Sequence, residues 1–230
     1  MNMPLVLKQV DDDVRGDHYY LPADAQCYYW GEYTPYENTR GQRADFSPTN
    51  RLVSNLKKKM NRRGEADWRY KSQAITKCGA AFGLMWDRQQ LLQPGTMFVP
   101  MPPSRARGDT AYDPRIMDIL NIINRPNRSI DIRDCLSFDG RYAASHDSND
   151  RPDPDALYEA LQFDENAGRR RDLPGTVILF DDMLTTGAHF IAASRKISGV
   201  FPNVPIIGHF IARRLLPTAA DIFGDFDILE

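Results

Sequence analysis

Two adjacent carboxylates and a hydroxyl-rich turn make residues 177–189 the segment of this chain best suited to bind a ligand. The segment is Val-Ile-Leu-Phe-Asp-Asp-Met-Leu-Thr-Thr-Gly-Ala-His. Its four apolar residues predict a buried strand, Asp181–Gly187 predicts a turn, and a helix is expected from Ala188 to Ile197. Such a turn offers backbone N–H groups and the positive end of the helix dipole to a phosphate.

The same segment offers oxygen ligands for a sugar or a metal ion. Asp181 and Asp182 follow the strand at its carboxyl end, where open α/β sheets bind ligands. Paired carboxylates beside a phosphate site suit vicinal sugar hydroxyls and Mg²⁺, which favours oxygen ligands and substrate phosphates. In the competing interpretation the acids only cap the strand and the turn is structural. Two acids, two threonines and a glycine in this order favour the ligand.

This segment resembles the phosphoribosyl-diphosphate motif of the type I phosphoribosyltransferases: four apolar residues, DD, two residues, TTG, any residue, then Thr or Ser. The resemblance implies that Asp181 and Asp182 are the catalytic acids, hold the ribose hydroxyls and contact Mg²⁺ directly or through water. It also implies a 5′-phosphate loop made of Thr185, Thr186, Gly187, Ala188 and His189. His189 departs from the pattern, because the family usually has a hydroxyl there.

A second segment, residues 98–108, is similar to the diphosphate loop of the ComF-like branch of that family. A strand end, Phe98 to Met101, precedes Pro102-Pro103 and a basic stretch. The resemblance implies that Ser104, Arg105 and Arg107 face the diphosphate, since arginine recognises phosphate oxygens with several donors. Alone, the segment favours a proline-rich turn with solvated arginines. Its position one βα unit before the first motif favours diphosphate binding.

The elements around these segments predict an α/β fold. Ser47 and Pro48 have the residue types that begin a helix, and Asp113-Pro114 opens another. Further helices are predicted over Asp67–Leu92 and Asp155–Phe163, and strands over 27–33, Thr96–Met101, Ser129–Leu136 and Val204–Ala212. Alternating strands and helices predict a parallel sheet with right-handed crossovers.

The resemblance refines this fold class. It implies a type I phosphoribosyltransferase-like core, with a central parallel β-sheet flanked by helices, in residues 95–230. A hood subdomain from the N-terminal region, residues 1–94, is expected to pack on that core as part of one structural unit.

Composition sets outer limits on function. The chain has 230 residues, 42% of them hydrophobic, and a net charge of −2, so a buried core is expected and nothing global attracts nucleic acid. No apolar run approaches the roughly 18–20 residues that span a bilayer, and the acidic N-terminus lacks the apolar core of a signal peptide. A cytoplasmic protein without a membrane partner is predicted. The cysteines Cys27, Cys78 and Cys135 are expected to be buried free thiols.

Two functions remain open at this point. One is an enzyme that binds phosphoribosyl diphosphate, or a nucleotide 5′-phosphate, with Mg²⁺ and transfers the phosphoribosyl group to an unidentified acceptor. The other is a catalytically silent regulatory or accessory protein in DNA uptake, nucleic-acid processing or defence. In that case Lys57, Lys58 and Lys59 could bind single-stranded nucleic acid, although such a run is also typical of a solvated helix face. A homodimer is a further expectation.

A long polar segment, residues 137–154, is predicted to be an exposed loop. Loops longer than about 12–15 residues are often functional lids. Arg141, His146 and Arg151 would then close over a bound diphosphate; the alternative is a surface loop without a role.

Overall fold

The chain folds into helices and strands arranged as an α/β protein, and the computed structural model describes residues 3–125, 129–138 and 153–217 of it. The strands are β1 (Lys8–Gln9), β2 (Gln26–Tyr33), β3 (Thr96–Pro100), β4 (Asp131–Ile132), β5 (Leu136–Phe138), β6 (Leu161–Phe163), β7 (Thr176–Leu184) and β8 (Ile206–Arg214). The helices are α1 (Asp12–Arg15), α2 (Pro48–Leu56), α3 (Trp68–Arg88), α4 (Arg115–Ile123), α5 (Pro154–Ala160), α6 (Glu165–Gly168) and α7 (Ala188–Val200).

A six-stranded sheet in the order β1-β2-β8-β7-β3-β4 forms the centre of the fold. β2, β8, β7, β3 and β4 pair in parallel, and β1 adds an antiparallel edge. β5 and β6 form a separate antiparallel pair. The predicted α/β class and central parallel sheet are confirmed, and β7 lies inside the sheet as predicted.

Both faces of the sheet are covered. Val177 and Leu179 of β7 belong to one buried cluster, together with residues of α5 and α7. Ile178 and Phe180 belong to the other, which is built with α2, α3 and α4. Successive strand residues face opposite sides, so a strand covered on both sides needs the uninterrupted apolar run seen here.

Helix α3 is fixed to the sheet by a buried polar contact as well as by apolar packing. Trp86 is fully buried, and its Nε1–H donates to Nδ1 of His209 at 2.7 Å. His209 lies in β8, 2% exposed, with the ring of Tyr28 5.3 Å away. The tryptophan N–H is therefore satisfied inside the core, and α3 is tied to the strand beside β7.

The N-terminal region does not stand apart from the sheet. β2 pairs with β8 along its whole length, from Gln26 opposite Ile207 to Tyr33 opposite Arg214. An N-terminal hood that only packs on the core is therefore too simple a description, because residues 1–94 supply two strands of the central sheet. The division at residues 94 and 95 stays a prediction.

Several predicted elements change length or type. The strand expected over 129–136 is only Asp131–Ile132, and Leu136–Phe138 joins the separate pair. The helix expected over 155–163 ends at Ala160, since Leu161–Phe163 pairs with β5. The long helix ends at Arg88 rather than Leu92. Ser47 does begin α2: its Oγ accepts the backbone N–H of Asn50 at 3.0 Å, with Pro48 at the first position.

Other expectations are settled only in part. The three cysteines are buried and free, as predicted. Arg141, His146 and Arg151 lie outside the described residues, so their proposed closure over a ligand stays a prediction. Within residues 3–125, 129–138 and 153–217, no helix has the length and hydropathy needed to span a membrane.

Candidate functional site

Strand β7 continues beyond the end of its neighbour β3, and this difference creates the site. The pairing with β3 ends at Pro100 opposite Phe180, whereas the pairing with β8 continues to Leu184 opposite Arg213. After Pro100 the chain leaves the sheet through Pro102 and Pro103, which have no backbone N–H to pair. Asp181 and Asp182 therefore lie in β7, not in the predicted turn, and have open space where β3 would have continued.

A cavity of about 370 Å³ occupies that space. Its volume lies within the roughly 300–1,000 Å³ typical of small-molecule sites. The predicted site residues that line it are Asp181, Asp182, Thr185, Thr186, Ala188, His189 and Ser104. The two motifs of the sequence thus meet at one cavity, although 81 residue numbers separate Ser104 from Thr185. Apolar walls come from Met101, Met117 and Met183.

Asp182 is held by two cations. Nε of Arg115, the first residue of α4, lies 2.6 Å from Oδ2 of Asp182, and Nζ of Lys57 lies 3.4 Å from Oδ1. Burial alone would raise the pKa of Asp182, whose side chain is only 5% exposed; Arg115 and then Lys57 outweigh it and hold that pKa well below its usual range. Asp182 is therefore an internal anion with its charge neutralised by the protein itself.

Asp181 differs from its neighbour. It is half-buried and lines the cavity, and its Oδ1 accepts the backbone N–H of Asp182 at 2.7 Å. Burial and the negative charge of Asp182 raise the pKa of Asp181. Of the two acids, Asp181 is the one whose protonation state a bound cation or ligand would change most.

The two acids suit Mg²⁺ only when the ligand supplies further oxygens. Among the described residues, no group of three or more His, Cys, Asp or Glu side chains could hold a metal ion. Mg²⁺ keeps several waters and is usually bound through one or two carboxylates plus substrate phosphates. Asp181 and Asp182 could serve as those carboxylates, with the phosphates of the ligand supplying the remaining oxygens.

The predicted phosphate turn is Thr185–Gly187, and its conformation requires a glycine. Gly187 has φ +90° and immediately precedes α7. A Cβ there would lie 2.8 Å from Cδ2 of Leu21. Thr185 is exposed and Thr186 is buried, so their hydroxyls have different access to solvent.

The N-terminal segment, residues 16–21, contacts the backbone of this turn. The backbone N–H of Tyr20 donates to the carbonyl of Thr186 at 3.0 Å. His18, fully buried, uses Nδ1 to contact the carbonyl oxygen of Thr185, which requires a proton on Nδ1. Burial lowers the pKa of His18, and that keeps the imidazole neutral in this role. No local pattern predicts this support, since residues 16–21 lie far from the motif along the chain.

The residues predicted to bind diphosphate take different positions. Ser104 lines the cavity beside β7 and also a second cavity next to it, of about 500 Å³. Arg105 lines only the second cavity and lies 3.5 Å from Asp109. Arg107 contacts Asp134 at 2.9 Å and lines neither cavity. Ser104 and Arg105 thus lie near the acids, while Arg107 is occupied by another part of the chain.

The basic run after α2 is divided between different partners. Lys57 pairs with Asp182, whereas Lys58 lies 3.1 Å from Asp67. Lys59 lines the second cavity. Binding of single-stranded nucleic acid by these lysines stays a prediction, but they do not form one uniform solvated face.

Arg115 is the principal site residue that the sequence analysis missed. Its partner Asp182 lies 67 positions away, so no local pattern connects them. One signal was present: a cation at the first position of a helix is disfavoured by the helix dipole, and so Arg115 needs an acidic partner. Asp113 at 2.9 Å is one, and Asp182 is the other.

No protein-family model matches this chain, and no curated protein is significantly similar to it.

Proposed function

We propose that this protein binds 5-phosphoribosyl diphosphate, or a nucleotide 5′-phosphate, with Mg²⁺ in the cavity beside the end of β7, and that it has a type I phosphoribosyltransferase-like core. The observation that carries the proposal is the meeting of two motifs at one cavity. The cavity is lined by the acids of β7, by the turn before α7 and by Ser104 after β3. In this assignment the 5′-phosphate lies at Thr185–His189, and Asp181 and Asp182 face the ribose.

The turn supports the phosphate assignment on physical grounds. The first N–H groups of α7 have no partner within the helix, and the dipole of α7 favours an anion at that end. A positive φ at Gly187 and the backbone contact to Tyr20 hold the turn in a fixed shape. A fixed set of donors loses little entropy when a ligand binds.

The proposed reaction is transfer at the anomeric carbon of the ribose. The bond from C1 to the diphosphate oxygen breaks and its electron pair leaves with the diphosphate. A lone pair of the acceptor forms the new bond to C1, and the acceptor releases its proton. An oxocarbenium-like transition state is expected, as in other glycosyl transfers. Mg²⁺ bound to the diphosphate would stabilise the leaving group.

The residues of this chain would hold the substrate in position and would not act as nucleophiles. Asp181, which no cation among the described residues holds as closely as Arg115 holds Asp182, would accept hydrogen bonds from the ribose hydroxyls. Arg115 would keep Asp182 ionised beside it. Holding reacting groups in line removes a large entropic part of the barrier.

Calorimetric titration tests this proposal. We expect ribose 5-phosphate to bind the wild type, and the Thr185→Ala/Thr186→Ala variant to bind it at least about tenfold more weakly, since each charge-assisted hydrogen bond contributes roughly 1.5–3 kcal/mol. Phosphoribosyl diphosphate should bind more tightly with Mg²⁺ than with a chelator, and the Asp181→Asn/Asp182→Asn variant should lose that difference. Thermal melts of each variant show whether it is folded. Equal affinity in wild type and the threonine variant would sink the phosphate assignment.

A specific observation favours the second function, a silent accessory protein. Asp182 already has two cationic partners, which could make the pair of acids a structural unit. Measuring the release of diphosphate from phosphoribosyl diphosphate in the presence of nucleobases distinguishes the enzyme from the silent accessory protein. Ligand binding without any release, across a panel of bases, would favour the accessory role.

A further inference from the structure

A buried ammonium of α3 uses all three of its protons close to the candidate site. Lys71 is only 3% exposed. Its Nζ donates to the carbonyl oxygen of Leu56, to that of Lys58 at 3.1 Å and to Oδ2 of Asp113 at 2.7 Å. A lysine ammonium has three N–H donors and no acceptor, so these three acceptors fill its hydrogen-bonding capacity. Burial of a charge is costly, and apolar packing alone does not explain a lysine at this position.

Two of these bonds fix the backbone on either side of Lys57. Leu56 ends α2, and Lys58 follows Lys57. Because one buried group holds both neighbouring carbonyls, the backbone at residue 57 has little freedom to move. The side chain of Lys57, 43% exposed, places its Nζ 3.4 Å from Oδ1 of Asp182. Lys71 therefore keeps a partly exposed cation beside the buried carboxylate.

The third bond of the ammonium leads to the other oxygen of Asp182. Oδ2 of Asp113 accepts both Lys71 and Nη1 of Arg115. Oδ1 of Asp113 accepts the backbone N–H of Arg115 at 3.2 Å, so this arginine is held by its backbone and by its side chain. Nε of Arg115 then donates to Oδ2 of Asp182 at 2.6 Å. Each carboxylate oxygen of Asp182 thus has one cation, and both cations connect to the same ammonium.

We propose that Lys71 is a positioning residue of the candidate site, which holds both cationic partners of Asp182 in place. It acts through other residues, since it lines neither cavity. With both oxygens of Asp182 held by the protein, Asp181 is the acid left to meet the ligand, and a site fixed in advance binds at lower entropic cost. The consequence for ligand binding rests on the proposed function, whereas the effect of Lys71 on the partners of Asp182 does not.

The Nε–H of Arg115 gives a readout that needs no ligand. An arginine Nε–H bonded to a buried carboxylate exchanges slowly with water and has its own signal in a ¹⁵N–¹H NMR spectrum of the full chain, assigned by its absence from Arg115→Lys. We expect Lys71→Met, which keeps an unbranched apolar chain without the ammonium, to shift or broaden this signal in the folded protein. Lys71→Arg, which restores the charge and the donors, should recover part of the wild-type position.

Met85→Ala is the matched control for stability. Met85 is 2% exposed in the same helix and lines neither cavity, so its truncation destabilises the protein through lost packing. The Arg115 signal should keep its wild-type position in this variant. A merely structural role for Lys71 predicts instead that Lys71→Met and Met85→Ala give the same spectrum for Arg115.

Calorimetry with phosphoribosyl diphosphate and Mg²⁺ measures the consequence for the ligand. We expect Lys71→Met to bind this ligand at least about tenfold more weakly, as is typical when the partner that orients a binding group is removed. Met85→Ala should bind it as the wild type does. If no form of the protein binds the ligand but the Arg115 signal moves as expected, the proposed function falls and the positioning role of Lys71 stands.

Two results would overturn the inference, whatever the ligand does. One is an unchanged Arg115 signal in folded Lys71→Met, and the other is an equal displacement of that signal in Met85→Ala. If Lys71→Met does not fold, Lys71→Gln takes its place, because its amide still offers two N–H donors to the buried carbonyls. The same two outcomes then apply to Lys71→Gln.

Discussion

Asp182 depends on cations contributed by two distant parts of the chain. Arg115 begins α4 and Lys57 follows α2, and both reach the same buried carboxylate. A buried ion pair contributes little net stability over an apolar pair, but removing one partner leaves an uncompensated charge. The loss of Arg115 alone is therefore expected to destabilise the protein more than the loss of Arg115 together with the charge of Asp182.

We expect Arg115→Met to destabilise the protein by about 3 kcal/mol, the lower end of the range for breaking a buried pair. The double variant Arg115→Met/Asp182→Asn should recover part of that loss, because no buried carboxylate is then left without Arg115, and Lys57, which also loses its partner, is 43% exposed and can be solvated. Denaturant unfolding measures both. Arg195→Met, which breaks the exposed pair with Asp155, is the control and should change the midpoint little. If the double variant is as unstable as the sum of its single changes, the two side chains do not act as a pair.

At the scale of elements, the turn between β7 and α7 depends on one backbone conformation. Gly187 at φ +90° lies against Leu21 of the N-terminal segment. Alanine at a positive φ is strained, at a cost of order 1–3 kcal/mol, and its Cβ would also displace Leu21. The conformation of the phosphate turn therefore depends on the packing of residues 16–21 against it.

Gly187→Ala should lower both the free energy of unfolding and the affinity for ribose 5-phosphate. Gly199→Ala is a matched control in the same helix, where an added Cβ meets no atom within 4 Å. That change should be neutral or slightly stabilising, since alanine is favoured over glycine inside helices by up to about 1 kcal/mol. Melting curves and calorimetry on both variants provide the test. Wild-type affinity in a folded Gly187→Ala protein would show that the turn does not hold the phosphate.

The sequence predicted what local chemistry determines. The apolar run of β7, the glycine turn and the start of α2 all follow from neighbouring residues, and they were found. The extension of β7 to Leu184 was missed, because it depends on β8 as a partner. The local pattern predicts a helix at Leu161–Phe163, since the pairing of this segment with Leu136–Phe138 is not visible locally.

The candidate site shows the same division between local and distant information. The acids and the turn were predicted from one segment, and Ser104 from another. The cations on Asp182 and the contacts of residues 16–21 behind the turn come from distant segments, so they required the folded structure.

At the scale of the whole molecule, a buried histidine links stability to pH. His209 accepts the N–H of Trp86 through Nδ1, so the neutral ring with its proton on Nε2 is the form that fits. Burial lowers the pKa of His209 to about 3, against an ordinary value near 6.5 in the unfolded chain. The unfolded state therefore binds a proton that the folded state excludes. Stability is full above about pH 6.5 and falls as the pH drops towards 3.

This histidine should steepen the loss of stability in acid. Each pH unit below the unfolded pKa removes up to about 1.4 kcal/mol. His209→Gln keeps an acceptor for Trp86 but does not titrate, so its unfolding free energy should fall less between pH 6.5 and 4 than that of the wild type. Other groups, His18 among them, titrate in both proteins and cancel in the comparison. Parallel pH profiles for the two proteins would contradict the assignment.

The bond between Trp86 and His209 also gives the molecule an optical property. An indole that is fully buried and hydrogen-bonded to a ring nitrogen is shielded from water, so its emission lies at shorter wavelength than that of a solvated indole. Separation of α3 from the sheet would admit water to Trp86 and shift the emission to the red. The fluorescence of Trp86 would thus report on the packing of α3 against the sheet.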